Sequence, residues 1–314
     1  QQIATIAVMS IMRWQAARWV PGWLSRGSGV RSLLGFGVNL TGANFVGYFA
    51  TNITPFGIGL VGGAQPLGLY DRSFKLTSIP SKQLLPPVFN VFQSALARVA
   101  EDKPRLRSAI VSLAGKIALT TVFVTLVMVV TADWMVAVLL GDGWDEAVLM
   151  FQLLATFSVV TPITTFTAIS LVAIGESKAL LKWKVITFFI LLVAIAIGSI
   201  WGVMGIVVAH AISGFFIRMP LFLVYSTRFL PITMADHLRA LVPSLLIGLT
   251  TAALLYALRT VFEPQNPVLA LLLFGAIGAG LYLVLSLSVR RTRVDIVELL
   301  GYVQTAWMRK RNSH

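Results

Sequence analysis

The sequence predicts an all-α, polytopic membrane helix bundle with about eight full transmembrane helices. Three observations predict it. Of 314 residues, 57% are hydrophobic and 12% charged, about half the ~25% of charged residues in a soluble domain. Mean hydropathy is +0.85. Of the 25 Lys and Arg residues, 21 fall in every second gap between apolar segments, the bias that keeps basic loops on the cytoplasmic side.

The elements follow in order. Residues 1–12, QQIATIAVMSIM, are apolar but shorter than the roughly 20 residues a span takes. They read as the end of a helix whose start precedes this sequence, so the chain reads as N-terminally truncated. A basic loop follows with Arg13, Arg18, Arg26 and Arg31, and its Trp14, Trp19 and Trp23 read as interface anchors. A first full helix is expected over about 32–56, then GIGLVGGAQPLG, which has no Lys or Arg. A longer, less apolar helix over about 66–98 contains Pro80, Pro86 and Pro87, expected to interrupt it. Arg98, Lys103, Arg105, Arg107 and Lys116 then make a basic loop before a helix over about 109–131.

The far end of that helix is acidic, with Asp133, Asp142, Asp145 and Glu146. A helix over about 145–173 returns to Lys178, Lys182 and Lys184, and its Thr161, Pro162, Thr164, Thr165 and Thr167 predict a kink. Two helices, about 183–200 and 203–224, flank the turn Trp201–Gly205, and Arg218, Arg228 and Arg239 are counted with the next inner gap. A last pair, about 240–261 and 267–289, flanks Glu263–Pro267. The basic tail carries Arg290, Arg291, Arg293, Arg309, Lys310 and Arg311. The tail beyond Arg293 reads either as an amphipathic helix on the inner surface or as a terminus that frays.

Composition also excludes whole classes of chemistry. There are no cysteines, so disulfides and thiol catalysis are ruled out. His210, His237 and His314 are scattered without metal-ligand spacing, and no metal or cofactor is expected. The net charge of +13 sits in loops that meet anionic lipid, so nucleic acid is not an expected partner. No outward gap carries a carboxylate pair or a Ser/His constellation, so the chain is not expected to be an enzyme.

Four Lys and Arg break the alternation, and three of them, Arg72, Lys75 and Lys82, sit inside the segment 66–98. At about 100° per residue, Asp71, Lys75 and Lys82 fall within about 40° of one another; Asn90 and Gln93 return to the angles of Arg72 and Lys75. Lys82 is expected near the bilayer middle, where a cation costs roughly 2.5–3.5 kcal/mol and faces a cavity or a partner. Two readings stand: a cationic stripe that receives an anionic group, or an Asp71–Lys75 pair at i,i+4 with Arg72 snorkelling to the interface. The preceding helix has a stripe of Thr41, Asn44, Tyr48, Thr51 and Pro55, with Asn52 adjacent. It reads equally as a lumen lining and as glue between helices. His210, among apolar residues, reads as packing.

The stretch GFGVNLTGANFVGYFATNITPFGIGLVGGAQPLGLYDRSFKLTSIP resembles the Wzx-like polysaccharide flippases of the colanic-acid-exporter type, in the MOP (MATE-like) superfamily. The resemblance rests on Phe36, Gly37, Asn39, Gly42, Asn44, Gly59, Gly63, the run Leu67–Arg72, Leu76 and Pro80, with Gly141–Trp144, Ala173–Gly175 and the WGVMGI turn. It implies a MATE-like second lobe of six helices over 32–224 and an additional helix pair with its linker over 225–289. Residues 1–31 would be the end of the first lobe and a linker, and 290–314 a basic cytoplasmic tail. It further implies a multi-pass protein of the bacterial inner membrane that moves polyprenyl-diphosphate-linked oligosaccharide by alternating access between lobes. Polymerase or assembly proteins would be its partners, and an H+ or Na+ gradient its driving force. The cavity-lining candidates are then Arg72, Lys75, Lys82, Asp71, Asn44, Asn52, Asn90 and Gln93. Two other functions compete. A MATE-like drug or ion antiporter is disfavoured by a cationic stripe, and a membrane-embedded glycan-assembly enzyme by the short outward loops.

Overall fold

In a computed structural model of the chain, residues 8, 9, 12, 15 and 30–298 are described, apart from 142 and 263. The expected first-lobe end and linker, the Trp14, Trp19 and Trp23 anchors, and the tail beyond 298 lie outside the described residues. The helices are α1 (Val30–Gly62), α2 (Ala64–Arg98), α3 (Lys103–Val130), α4 (Ala132–Leu140), α5 (Asp145–Ser158), α6 (Val160–Ala173), α7 (Ser177–Gly198), α8 (Gly202–Ile212), α9 (Met219–Ser226), α10 (Met234–Val261) and α11 (Pro267–Ser288). Residues 290–298 are also helical. No strand occurs among the described residues.

Among the described residues, six stretches are long and apolar enough to cross a membrane. One of them, Ser177–Ser226, doubles back at Gly202, whose φ of 72° lies in the left-handed region that suits glycine. Its two legs approach so closely at Gly198 and Gly205 that a Cβ on either would strike the other's carbonyl. α2 has the length to span but is too polar to belong to that set. Two legs and α2 bring the six stretches to the eight expected.

Helices begin and end where local chemistry dictates. Asp102 caps α3 by accepting from the Arg105 amide at 3.1 Å. Asn266 caps α11 through Val268 and Leu269, with Pro267 at the first position, where a missing N–H costs nothing. Thr233 and Asp236 form a reciprocal capping box on α10. α1 and α2 are separated by Gly63 alone, at φ 75°. The whole of GIGLVGGAQPLG is thus helical except Gly63, where a loop was expected. α2 also runs unbroken past Pro80, Pro86 and Pro87, a continuity that helices in membranes tolerate. The expected kink over 145–173 is a break between Ser158 and Val160.

Packing follows small residues, as it must where lipid removes the hydrophobic drive between helices. Gly42 meets Leu181 and Gly57 meets Ile195, so α1 and α7 run side by side in the same direction. Gly248 of α10 admits Val122 of α3. α10 and α11 join α3 and α4 in a core of Val122, Leu126, Trp134, Leu255, Phe274 and Tyr282. There the Tyr282 hydroxyl donates to the Leu119 carbonyl at 2.8 Å. The chain reversals put Asp133, Asp145 and Glu146 at one end of the bundle and Lys103, Arg105, Lys178, Arg228 and Arg290 at the other.

Candidate functional site

The candidate site is the hairpin of α1 and α2. α2 buries Tyr70, Ser73 and Thr77, and the Ser73 hydroxyl points to the Ala147 carbonyl of α5. The cations lie on another side. Arg72 and Lys82 are exposed and make no hydrogen bond or ion pair with any described residue. Asp71 and Lys75 pair at 2.5 Å while remaining 50% and 60% exposed. That pair cancels its own charge, so the net positive field of the stripe comes from Arg72 and Lys82. Gln93 is half-buried, where the lower part of α2 packs through Phe89 and Leu96. The side chain of Asn90 lies outside the described residues.

α1 turns Thr54 and Ile58 inward, both at most 1% exposed, toward α7 and α8. Its other side carries Thr41, Asn44, Tyr48, Thr51 and Asn52, all exposed. Asn52 donates to the Tyr48 carbonyl at 2.7 Å and Thr51 to Gly47 at 2.9 Å. These bonds stay within α1, so neither residue acts as glue to another described helix. Phe45, Tyr48 and Phe49 form an edge-to-face cluster on the same open side.

α1 and α2 turn their packed sides to α5, α7 and α8, and their exposed polar residues lie on the remaining sides of the hairpin. Depth matches as well. Lys82 and Asn44 each stand nineteen positions from Gly63, about 28 Å along their helices; Arg72 and Asn52 stand at about 15 Å. Amides, hydroxyls and aromatic rings on α1 therefore sit level with cations on α2.

Known proteins resemble the chain in sequence and in fold. Residues 1–149, which include both stripes, match the family of polysaccharide biosynthesis proteins. The lipopolysaccharide biosynthesis protein WzxC of Escherichia coli (strain K12) is 24% identical over 166 residues, 53% of this chain and 34% of that protein. The teichuronic acid biosynthesis protein TuaB of Bacillus subtilis (strain 168) is 22% identical over 184 residues, 58% of this chain and 38% of that protein. The chain thus aligns with little more than a third of these relatives' length. Its fold matches the lipid II flippase MurJ in an inward closed conformation, with TM-score 0.66, 15% identity and coverage of 80% of this chain and 53% of that one. That likeness is one of helical fold.

Two charged groups, Lys116 and Arg218, sit deeper than the loop count placed them. Lys116 is inside α3, 4% exposed, with its ammonium on Glu298 at 2.5 Å and Ser112 at 2.7 Å. The helix starts at Lys103 rather than near 109, so most of that basic loop is its first turns. Arg218 ends a π-helical turn, Ser213–Arg218, inside the second leg of the Ser177–Ser226 hairpin. Its guanidinium donates to the His210 carbonyl at 2.9 Å and stands over the Phe157 ring. His210 itself shares a hydrogen bond with Thr54 at 2.8 Å, a tie between α8 and α1 that its apolar neighbours hid. Arg259 grips Asp133 and the Val130 carbonyl and lies over Trp134, 4.2 Å from the ring. The sequence reading drew no Asp133/Arg259 pair, although two opposite charges at one membrane end were its available signal; the Thr54–His210 bond had no sequence signal.

Proposed function

We propose that the chain forms part of a flippase that moves polyprenyl-diphosphate-linked oligosaccharide units across the bacterial inner membrane by alternating access, for surface polysaccharide biosynthesis. One observation carries the reading: Arg72 and Lys82 stand open on α2 without a protein partner among the described residues. An intramembrane cation in that state calls for an anion, and a guanidinium suits the paired oxygens of phosphate. The diphosphate meets Arg72 and Lys82, with Asp71, Lys75 and Gln93 beside them. The sugars lie against Asn44, Asn52 and the rings of α1. The basic ends of the helices, with the C-terminus, face the cytoplasm. No covalent step is required, so the chain works as a transporter rather than an enzyme. An H+ or Na+ gradient drives the cycle, and polymerase or assembly proteins take the delivered unit. Relatives described as polysaccharide biosynthesis proteins support this reading.

The test is complementation in a strain lacking its own flippase. Surface polysaccharide and inner-leaflet repeat units are measured for the natural protein, Lys82→Ala, Arg72→Ala and Lys82→Arg at matched expression. The Ala variants are expected to strand repeat units on the inner leaflet and Lys82→Arg to keep transport. Full activity in both Ala variants would remove the stripe from the mechanism. A natural protein that restores no polysaccharide would sink the flippase reading.

A further inference from the structure

Away from the hairpin, at the basic end of the bundle, helical residues 290–298 fold back along α3. Three groups fasten them. Ile296 is 6% exposed within the α3/α10/α11 core. Thr292, 2% exposed, donates to the Ser286 carbonyl at 2.6 Å. Glu298 holds the buried Lys116 ammonium. The Asp295 carboxylate lies so close to Gly115 that a Cβ there would approach it at 3.0 Å. Between this segment and α3 a cleft of about 530 Å³ stays open, lined by Ser108, Ser112, Arg290, Arg291, Asp295 and Glu298, with Val111 and Val294 between them.

The lining has both signs of charge at close quarters. Arg290 and Arg291 follow directly on the end of α11 at Ser288, and the serines stand within about 14 Å of the start of α3. The cleft therefore opens at headgroup depth. We propose that it binds the zwitterionic headgroup of a phosphatidylethanolamine-type lipid, the phosphate on Arg290, Arg291 and the serine hydroxyls, and the ammonium on Asp295. A headgroup with negative charge alone would set that charge beside Asp295 and Glu298. A headgroup with an N–H-bearing ammonium supplies donors to the carboxylate and leaves the phosphate for the arginines. Asp295 is the group that gains most: burial holds its carboxyl above the usual range, against the pull of Lys116 and Arg291. The valines and the flank of α3 meet the start of the acyl chains.

Native mass spectrometry of the full chain in detergent tests this, with phosphatidylethanolamine, phosphatidylcholine and phosphatidylglycerol added at equal concentration. Choline carries a similar charge but no N–H. The chain is expected to retain phosphatidylethanolamine about fivefold over the other two, the effect of one net hydrogen bond. Asp295→Asn should erase the advantage over phosphatidylcholine, and a double Arg290→Gln, Arg291→Gln variant should lose all three lipids. Equal retention of the three by the natural chain, a preference for phosphatidylglycerol, or an advantage unchanged in Asp295→Asn would each overturn the proposal. The contrast among lipids on the natural chain stands even if a variant fails to fold. Glycerophosphoethanolamine, the headgroup without tails, should not displace the lipid; if it does, the site takes a soluble ligand and the lipid assignment falls.

Discussion

At the residue scale, the open charge of Lys82 and the enclosed charge of Lys116 show how position decides what a lysine does. Lys82 has no partner among the described residues, so its substitution should change transport and leave stability nearly untouched. Lys116 is held by Glu298, and its loss should show first in stability. Tyr282 makes a smaller, cleaner test. Its hydroxyl donates to Leu119 from a site 4% exposed, so Tyr282→Phe should cost about 1 kcal/mol, read as a lower thermal midpoint of the chain in detergent. The cations of α2 were legible in the sequence because they break a rule that the other 21 obey. Arg218 was not, because a π turn and a neighbouring carbonyl let a helix absorb an arginine that a loop count assigns outside.

At the element scale, the helices were legible and their ends less so. Apolar runs mark the bilayer core, but α1, α3, α7 and α10 extend past it into polar sequence, stabilised by caps such as Asp102 and Thr233. The break at Val159 was foreshadowed by Pro162; the short α4 was not, since Ala132–Leu140 fell where an acidic gap was expected. Gly248 sets how closely α10 approaches α3. A Cβ there meets Val122, so Gly248→Val should cost about 1–3 kcal/mol of overpacking, seen as a lower midpoint and easier proteolysis between α9 and α10. The docked helix 290–298 should respond to pH through Asp295, whose neighbours are Lys116, Arg291 and Glu298. Burial raises the folded carboxyl above its unfolded value of about 4. Docking is therefore complete below that value and weakens as pH rises through the raised one. Hydrogen exchange of 290–298, corrected for intrinsic rate, should become faster over that range, and Asp295→Asn should flatten the response.

At the scale of the whole molecule, the charge pattern predicts one orientation. The chain has no cysteine, so single substitutions report sides directly. Glu146→Cys at the acidic end should react with an impermeant maleimide from outside spheroplasts, and Arg228→Cys only after the membrane is opened. The reverse pattern would invert the topology. The fold class was legible because a bilayer leaves few alternatives to helices. What the sequence alone left open was how they pair, since the contacts depend on single glycines rather than on a hydrophobic stripe.

The single residue between α1 and α2 has a mechanical meaning. With so short a connection, the ends of the two arms move together at Gly63. α1 is tied to α8 through Thr54 and His210, and for a swing of α2 about Gly63 the arc grows with distance from the pivot. Lys82, at about 28 Å, travels roughly twice as far as Arg72. A load gripped at Lys82 would feel the longest stroke of the lever.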